Sequence, residues 1–231
     1  MSRFARRLIM LIALVFGMLA SLSPTARAQD DAPAVDVEPT ADVELTATGF
    51  QTFLPIIMRT GVTIGIPSTD ERTLANLIND YRQANGLGRV PLSRSLTQVA
   101  QLHVKDLVEN SPDSGTDSRG LPCTLHSWSN KGNWTPVCYT SDHEYASGMW
   151  NKPREITNNV YNSNGYEISY WISTSATPQG ALDGWKNSAA HRQVILQQNG
   201  WPNWQAMGVG MRDGYAVVWF GQITDPQGNI P

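Results

Sequence analysis

Four histidines, two cysteines, eight tryptophans and a few serines carry most of the reactive or ligand-binding groups of this 231-residue chain. Cys123 and Cys138 are its only cysteines. In an oxidising compartment they pair as one disulfide, and the short loop this closes is worth about 3 kcal/mol at most. A metal site on two lone cysteines is the weaker alternative, because the spacing fits no zinc ribbon. Serine hydrolysis needs an activated hydroxyl, a base and an orienting group. Ser127 adjoins His126, and Ser188 lies three residues before His191. Neighbours on a strand point to opposite faces, which argues against the first pair. Ser188 is already explained as a helix cap. No nucleophile-elbow string occurs. His143 and Glu144 sit in "SDHEY", where they either cap or line a cleft mouth or, more simply, form a solvated loop. Trp128, Trp134, Trp150 and Trp171 fall in one irregular stretch. Such rings stack on sugars or line an apolar groove, and they equally build a satellite core under a long loop. Asn133-Trp134-Thr135 fits the glycosylation pattern, which matters only in a eukaryotic secretory pathway.

The elements that must position these groups are readable from spacing. Ser68 with Glu71 forms a capping box. Leu74, Leu77, Ile78 and Tyr81 then recur at helical spacing, and Asn85-Gly86 ends the helix. A second helix runs from about Ser95 to Asn110, with its stripe at Leu96, Val99, Ala100, His103 and Leu107. His103 therefore lies on a buried face, as a core histidine with one hydrogen-bond partner. From Ser111 to Thr177 the sequence is long and irregular, too long for a structureless loop in a compact domain, so short strands and helices are expected there. Thr177-Pro178 opens a helix lined by Ala181, Leu182 and Trp185, and Ser188 caps a further one carrying His191, Val194 and Ile195. Met207–Met211 and Tyr215–Gln222 are strands joined by a turn at Arg212-Asp213-Gly214. Both are apolar at nearly every residue, which predicts a sheet covered on both sides.

The N-terminus reads as an export signal. Arg3, Arg6 and Arg7 precede an apolar run from Leu8 to Ala20, and Ala26-Arg27-Ala28 supplies a small-x-small cleavage pattern. The run is short for a bilayer span, and an uncleaved anchor is the alternative. Residues 29–50 hold six acidic residues and no basic one, a composition that keeps a tether soluble and extended. Phe53–Met58 forms an apolar patch within that tether. From Gln51 onward 13 basic and 14 acidic residues nearly cancel, leaving no electrostatic footprint for nucleic acid. The expected organisation is a signal peptide at 1–28, a linker at 29–67, one domain at 68–225 and a tail at 226–231.

The strings "LANLINDYR", "LTQVAQLHVKDL", "LHSWS", "GYEIS", "GWKNSAAHRQVIL" and "MGVGMRDGYAVVWFGQ" occur in that order. Together they resemble the CAP superfamily of cysteine-rich secretory proteins, and most closely its secreted bacterial branch. The resemblance covers about Ser68 to Gln222. It implies an α/β fold, a three-layer α-β-α sandwich with a mostly antiparallel central sheet. It also implies a cleft of two histidines and one or two glutamates, able in some members to hold a divalent metal such as zinc. By motif, His126 resembles the first histidine, Glu167 the glutamate of the Gly-Glu-Asn motif, and His191 the second histidine. Ser188 stands where many members carry a second glutamate. Tyr166 and Ile168 flank Glu167 in place of the motif's own neighbours. Two imidazoles and a carboxylate make a three-ligand site with an open position. The same residues also make a hydrogen-bonded polar cluster with no metal. The expected function is that of a secreted, non-catalytic module binding a small lipid, a cell-wall glycan or a metal. A metal-dependent hydrolase using the same cleft, and a purely structural or interaction module on an acidic tether, are the alternatives.

Overall fold

The computed structural model describes residues 27–28 and 64–231. The signal peptide, the acidic tether and its apolar patch fall almost wholly outside the described residues. The first helix, α1, spans Thr69–Ala84 and begins with the expected capping box. Ser68 Oγ accepts from the Glu71 backbone N–H, and the Glu71 carboxylate accepts from the Ser68 N–H. Gly86 takes a φ of 78° just past its end, where the Leu87 N–H reaches back to the Arg82 carbonyl. Helix α2 spans Arg94–Asn110, capped by Ser93. The irregular stretch holds a short 3-10 turn at Pro112–Ser114 and two five-residue helices, α3 (Ala146–Trp150) and α4 (Lys152–Ile156). Helix α5 covers Pro178–Asn187, capped by Thr177, and α6 covers Ala189–Ile195, capped by Ser188.

The strands are β1 (Arg27–Ala28), β2 (Leu92–Ser93), β3 (Gly165–Trp171), β4 (Ala206–Arg212), β5 (Tyr215–Gly221) and β6 (Asn229–Ile230). Their order across the sheet is β1-β3-β5-β4-β2-β6. Every pairing is antiparallel except β2 with β4. The β4–β5 hairpin turns at Asp213-Gly214 as its sequence predicts, with Asp213 at a φ of 50°. Gly165–Trp171, in the irregular stretch where short strands are expected, is a strand beside β5, with Glu167 opposite Trp219. One feature differs from expectation: Asn229–Ile230, placed in a tail, pairs with β2. Asp225 holds that closing segment in place. Its buried carboxylate accepts from Ser93 Oγ, Ser95 Oγ and the Ser95 N–H, each at 2.7 Å, and so places negative charge at the start of α2.

The sheet separates two cores, which makes the architecture the expected three-layer sandwich. Helices α1, α5 and α6 lie on one face, packed on Tyr166, Ile168, Tyr170, Val209, Val218 and Phe220. Helix α2, with α3, α4 and the loops around them, lies on the other, against Val217 and Trp219. Residues alternate along β3, so Glu167 and Ser169 face the α2 side while their neighbours face the α5 side. Gly208 and Gly210 let α2 settle directly onto β4. A Cβ at either position would collide with backbone of that helix, at Leu96–Thr97 and at Ala100–Gln101. This close approach delivers His103 to the sheet.

Candidate functional site

Glu167 lies at the centre of the α2 side with its side chain wholly buried. Its two oxygens are held by two different imidazoles. Oε1 contacts His103 Nδ1, and Oε2 accepts from His126 Nδ1 at 2.7 Å. His103 comes from the middle of α2, while His126 comes from the loop that follows it. Ser169, two residues along β3 from Glu167, places its hydroxyl 3.0 Å from the same His126 nitrogen. The neighbours assign the protons. Ser127 O can only accept, so His103 Nε2–H donates to it at 3.0 Å. One further proton lies between His103 Nδ1 and Glu167 Oε1. His126 donates to Glu167 through Nδ1–H, and its other ring nitrogen is Nε2. That atom is buried and has no hydrogen-bond partner among the described residues.

Burial alone pushes the Glu167 carboxyl up. The charge and hydrogen bond of His103, then those of His126, outweigh burial and hold it below the usual carboxylate value. Aromatic rings wall the centre. His103 stacks on Trp128 with centroids 4.2 Å apart and planes 8° from parallel. Trp219 meets both of those rings edge-on, and Tyr139 meets His126 in the same way at 5.1 Å. Tyr139 Oη also bonds His143 Nδ1 at 2.8 Å, so the SDHEY loop packs against this wall. Lys152, almost fully buried, sets its ammonium 5.6 Å from the Trp128 ring centre and bonds Glu155 at 2.6 Å. Desolvation lowers the pKa of that ammonium.

The four residues picked out by motif are therefore divided. His126 and Glu167 are bonded to each other. His191 sits on α6, in the layer across the sheet, where its Nδ1 bonds Ser188 Oγ at 2.9 Å. Ser188 also caps α6, accepting from the His191 backbone N–H at 3.4 Å. His103, read as a core histidine with one partner, has two and completes the centre. The cysteines form the expected disulfide, Cys123–Cys138, with Cα atoms 4.9 Å apart. It closes the loop from which His126, Trp128 and Trp134 project.

This arrangement does not fit the three-ligand metal site that the motif residues suggest. Both Glu167 oxygens are taken by imidazole nitrogens, and His191 lies on α6, in another layer. Among the described residues no three His, Cys, Asp or Glu side chains form a group able to hold a metal ion. What the centre can do is hold a carboxylate and two imidazoles in fixed order inside an aromatic cage.

The profile of the Cysteine-rich secretory protein family, CAP, matches residues 75–220. The chain belongs to the CAP family. Its fold is similar to that of a cysteine-rich secretory protein from Staphylococcus aureus, at 14% identity and a TM-score of 0.42, over 67% of this chain and 39% of that one. It is similar to an extracellular protein containing an SCP domain from Bacillus anthracis, at 18% identity and a TM-score of 0.40, over 67% and 40%. An outer surface protein from Borrelia burgdorferi matches at 17% identity and a TM-score of 0.41, over 68% and 96%. The matched region thus spans about two fifths of the first two proteins. No curated protein matches. Among the described residues no helix is long and apolar enough to cross a membrane.

Proposed function

We propose that this chain is exported and works outside the cell as a non-catalytic binding module. In this reading its His103–Glu167–His126 centre stabilises the face that presents the ligand surface. One observation carries the reading: each Glu167 oxygen is engaged by an imidazole, and all three side chains are wholly buried. A carboxylate that must act on a substrate needs an oxygen within reach of it, and this one has none to offer without opening the core. Export is supported by Arg3, Arg6 and Arg7 ahead of the apolar run and by the small-x-small pattern at 26–28. The ligand classes to be tested are a small lipid, a cell-wall glycan and a divalent metal.

The test combines fractionation with binding. The full chain should appear outside the cell, and a variant with Arg3, Arg6 and Arg7 changed to Glu should stay inside. The secreted protein, titrated with phospholipid vesicles, solubilised wall fragments and zinc chloride, should saturate with at least one probe and release no product. A folded His126→Ala variant that loses hydrolytic turnover seen in the wild type would replace this reading with the hydrolase. Absence of binding to every class would leave the structural or interaction module in its place.

A further inference from the structure

A concavity lies outside the buried centre, between the outer side of α2, the loop at 131–134 and the end of α4. It measures about 320 Å³, at the small end of ligand-sized pockets. Its lining combines three kinds of group. Leu102, Trp134 and Ile156 are apolar, and Lys105 and Lys131 are cationic. The remainder is mostly neutral amide and hydroxyl, with Gln98 foremost on α2, and no acidic side chain contributes.

Trp134 is held as a rigid platform. Its indole N–H donates to Ser129 O at 2.8 Å, and its ring meets Trp128 edge-on at 5.0 Å. The ring also lies so close over Gly132 that a Cβ there would strike it. A ring fixed in this way loses little freedom when a ligand stacks on it. The two lysines differ. Lys105 pairs with Glu109 at 2.5 Å, but Glu109 also accepts from Arg212 at 2.9 Å and keeps that partner if Lys105 turns away. Lys131 is exposed and has no ion-pair partner among the described residues.

We propose that this pocket binds a carboxylate-bearing saccharide, with the sugar ring stacked on Trp134, its carboxylate between Lys105 and Lys131, and its hydroxyls on the surrounding amides. An acyl chain would leave those amides desolvated and unpaired, which the polar lining disfavours. A neutral sugar would leave the lysines unused. The inference rests on the non-catalytic binding reading and names a ligand class for it. Carboxylates reach sugars from two sources, a uronic acid or a lactyl ether, and the test separates them.

Secreted full chain is titrated by calorimetry with a glucuronate-containing disaccharide, with N-acetylglucosaminyl-N-acetylmuramic acid, and with the methyl ester of each. One of the two acids should bind, and its ester should bind at least ten-fold more weakly. Lys131→Gln, a surface change, should lower affinity for that acid about three- to ten-fold and leave the ester unchanged. Trp134→Phe should retain binding while Trp134→Ala loses it. Equal affinity for acid and ester, an unchanged Lys131→Gln variant, or no binding of either acid overturns the proposal. Saturation with vesicles or zinc in the same preparation would then leave the broader binding reading standing. Conversely, mass-spectrometric detection of a cleaved disaccharide would sink the non-catalytic reading while leaving this pocket in place.

Discussion

Glu167 shows how much one buried charge demands of its surroundings. Breaking a buried ionic cluster by removing one member typically costs about 3–5 kcal/mol, because the remaining groups stay desolvated and unpaired. The lowered Glu167 pKa gives this contribution a pH signature. A carboxyl held below its unfolded value stabilises the fold above that value, near 4.5, and the contribution fades as pH falls toward the lowered folded value. The stability gap between wild type and Glu167→Gln should therefore be full above pH 4.5 and narrow on acidification, as read by urea denaturation at a series of pH values. A gap that widens in acid would contradict the assigned hydrogen bonds. His126 and Glu167 were legible through their motifs. The role of His103 was not, since its position repeats with Leu96, Val99 and Leu107, and helical period cannot tell a core histidine from one reaching a partner 64 residues away. A signal did exist: a polar residue in an apolar stripe and a carboxylate inside an otherwise apolar strand each need a partner, and they can satisfy one another.

At the scale of elements, local chemistry explains what was readable. The caps at Ser68, Thr177 and Ser188 act within three residues, so their side chains announce the helices they start. The Asp213-Gly214 turn is equally local. Strand β3 was hidden because it is buried on both faces and shows no simple alternation. The two-residue strands β2 and β6 exist only by pairing, and no window of that length carries a period. The Gly-Val-Gly spacing of β4 gains its meaning only when α2 is laid across it. Gly208→Ala should lift that helix and cost about 1–3 kcal/mol by overpacking. Ala216→Gly, on the opposite face of the hairpin, serves as a control that leaves α2 seated. Denaturation midpoints and near-ultraviolet circular dichroism of the tryptophans near α2 would report the difference, and an unperturbed Gly208→Ala spectrum would refute the close packing.

For the whole molecule, two cores on one sheet share the work unequally. The α5 side is mainly hydrocarbon, and Trp185 there donates its indole N–H to Ser169 O at 3.0 Å. The α2 side carries the polar centre, the disulfide loop and the Trp134 pocket. The disulfide closes 15 residues of sequence separation. Replacing both cysteines by serine should cost about 3 kcal/mol and loosen His126 and Trp134 before it loosens α5. Hydrogen exchange faster at 124–139 than at 181–185 would confirm that order, and uniform acceleration would deny it. In the proposed function the His–Glu–His centre is structural. Its most direct test is equilibrium denaturation of Glu167→Gln beside the wild type at neutral pH, with saccharide binding measured on both. A loss of about 3–5 kcal/mol is expected, with binding retained in the folded protein. A variant as stable as the wild type that no longer binds, or no longer turns over a substrate, would contradict it.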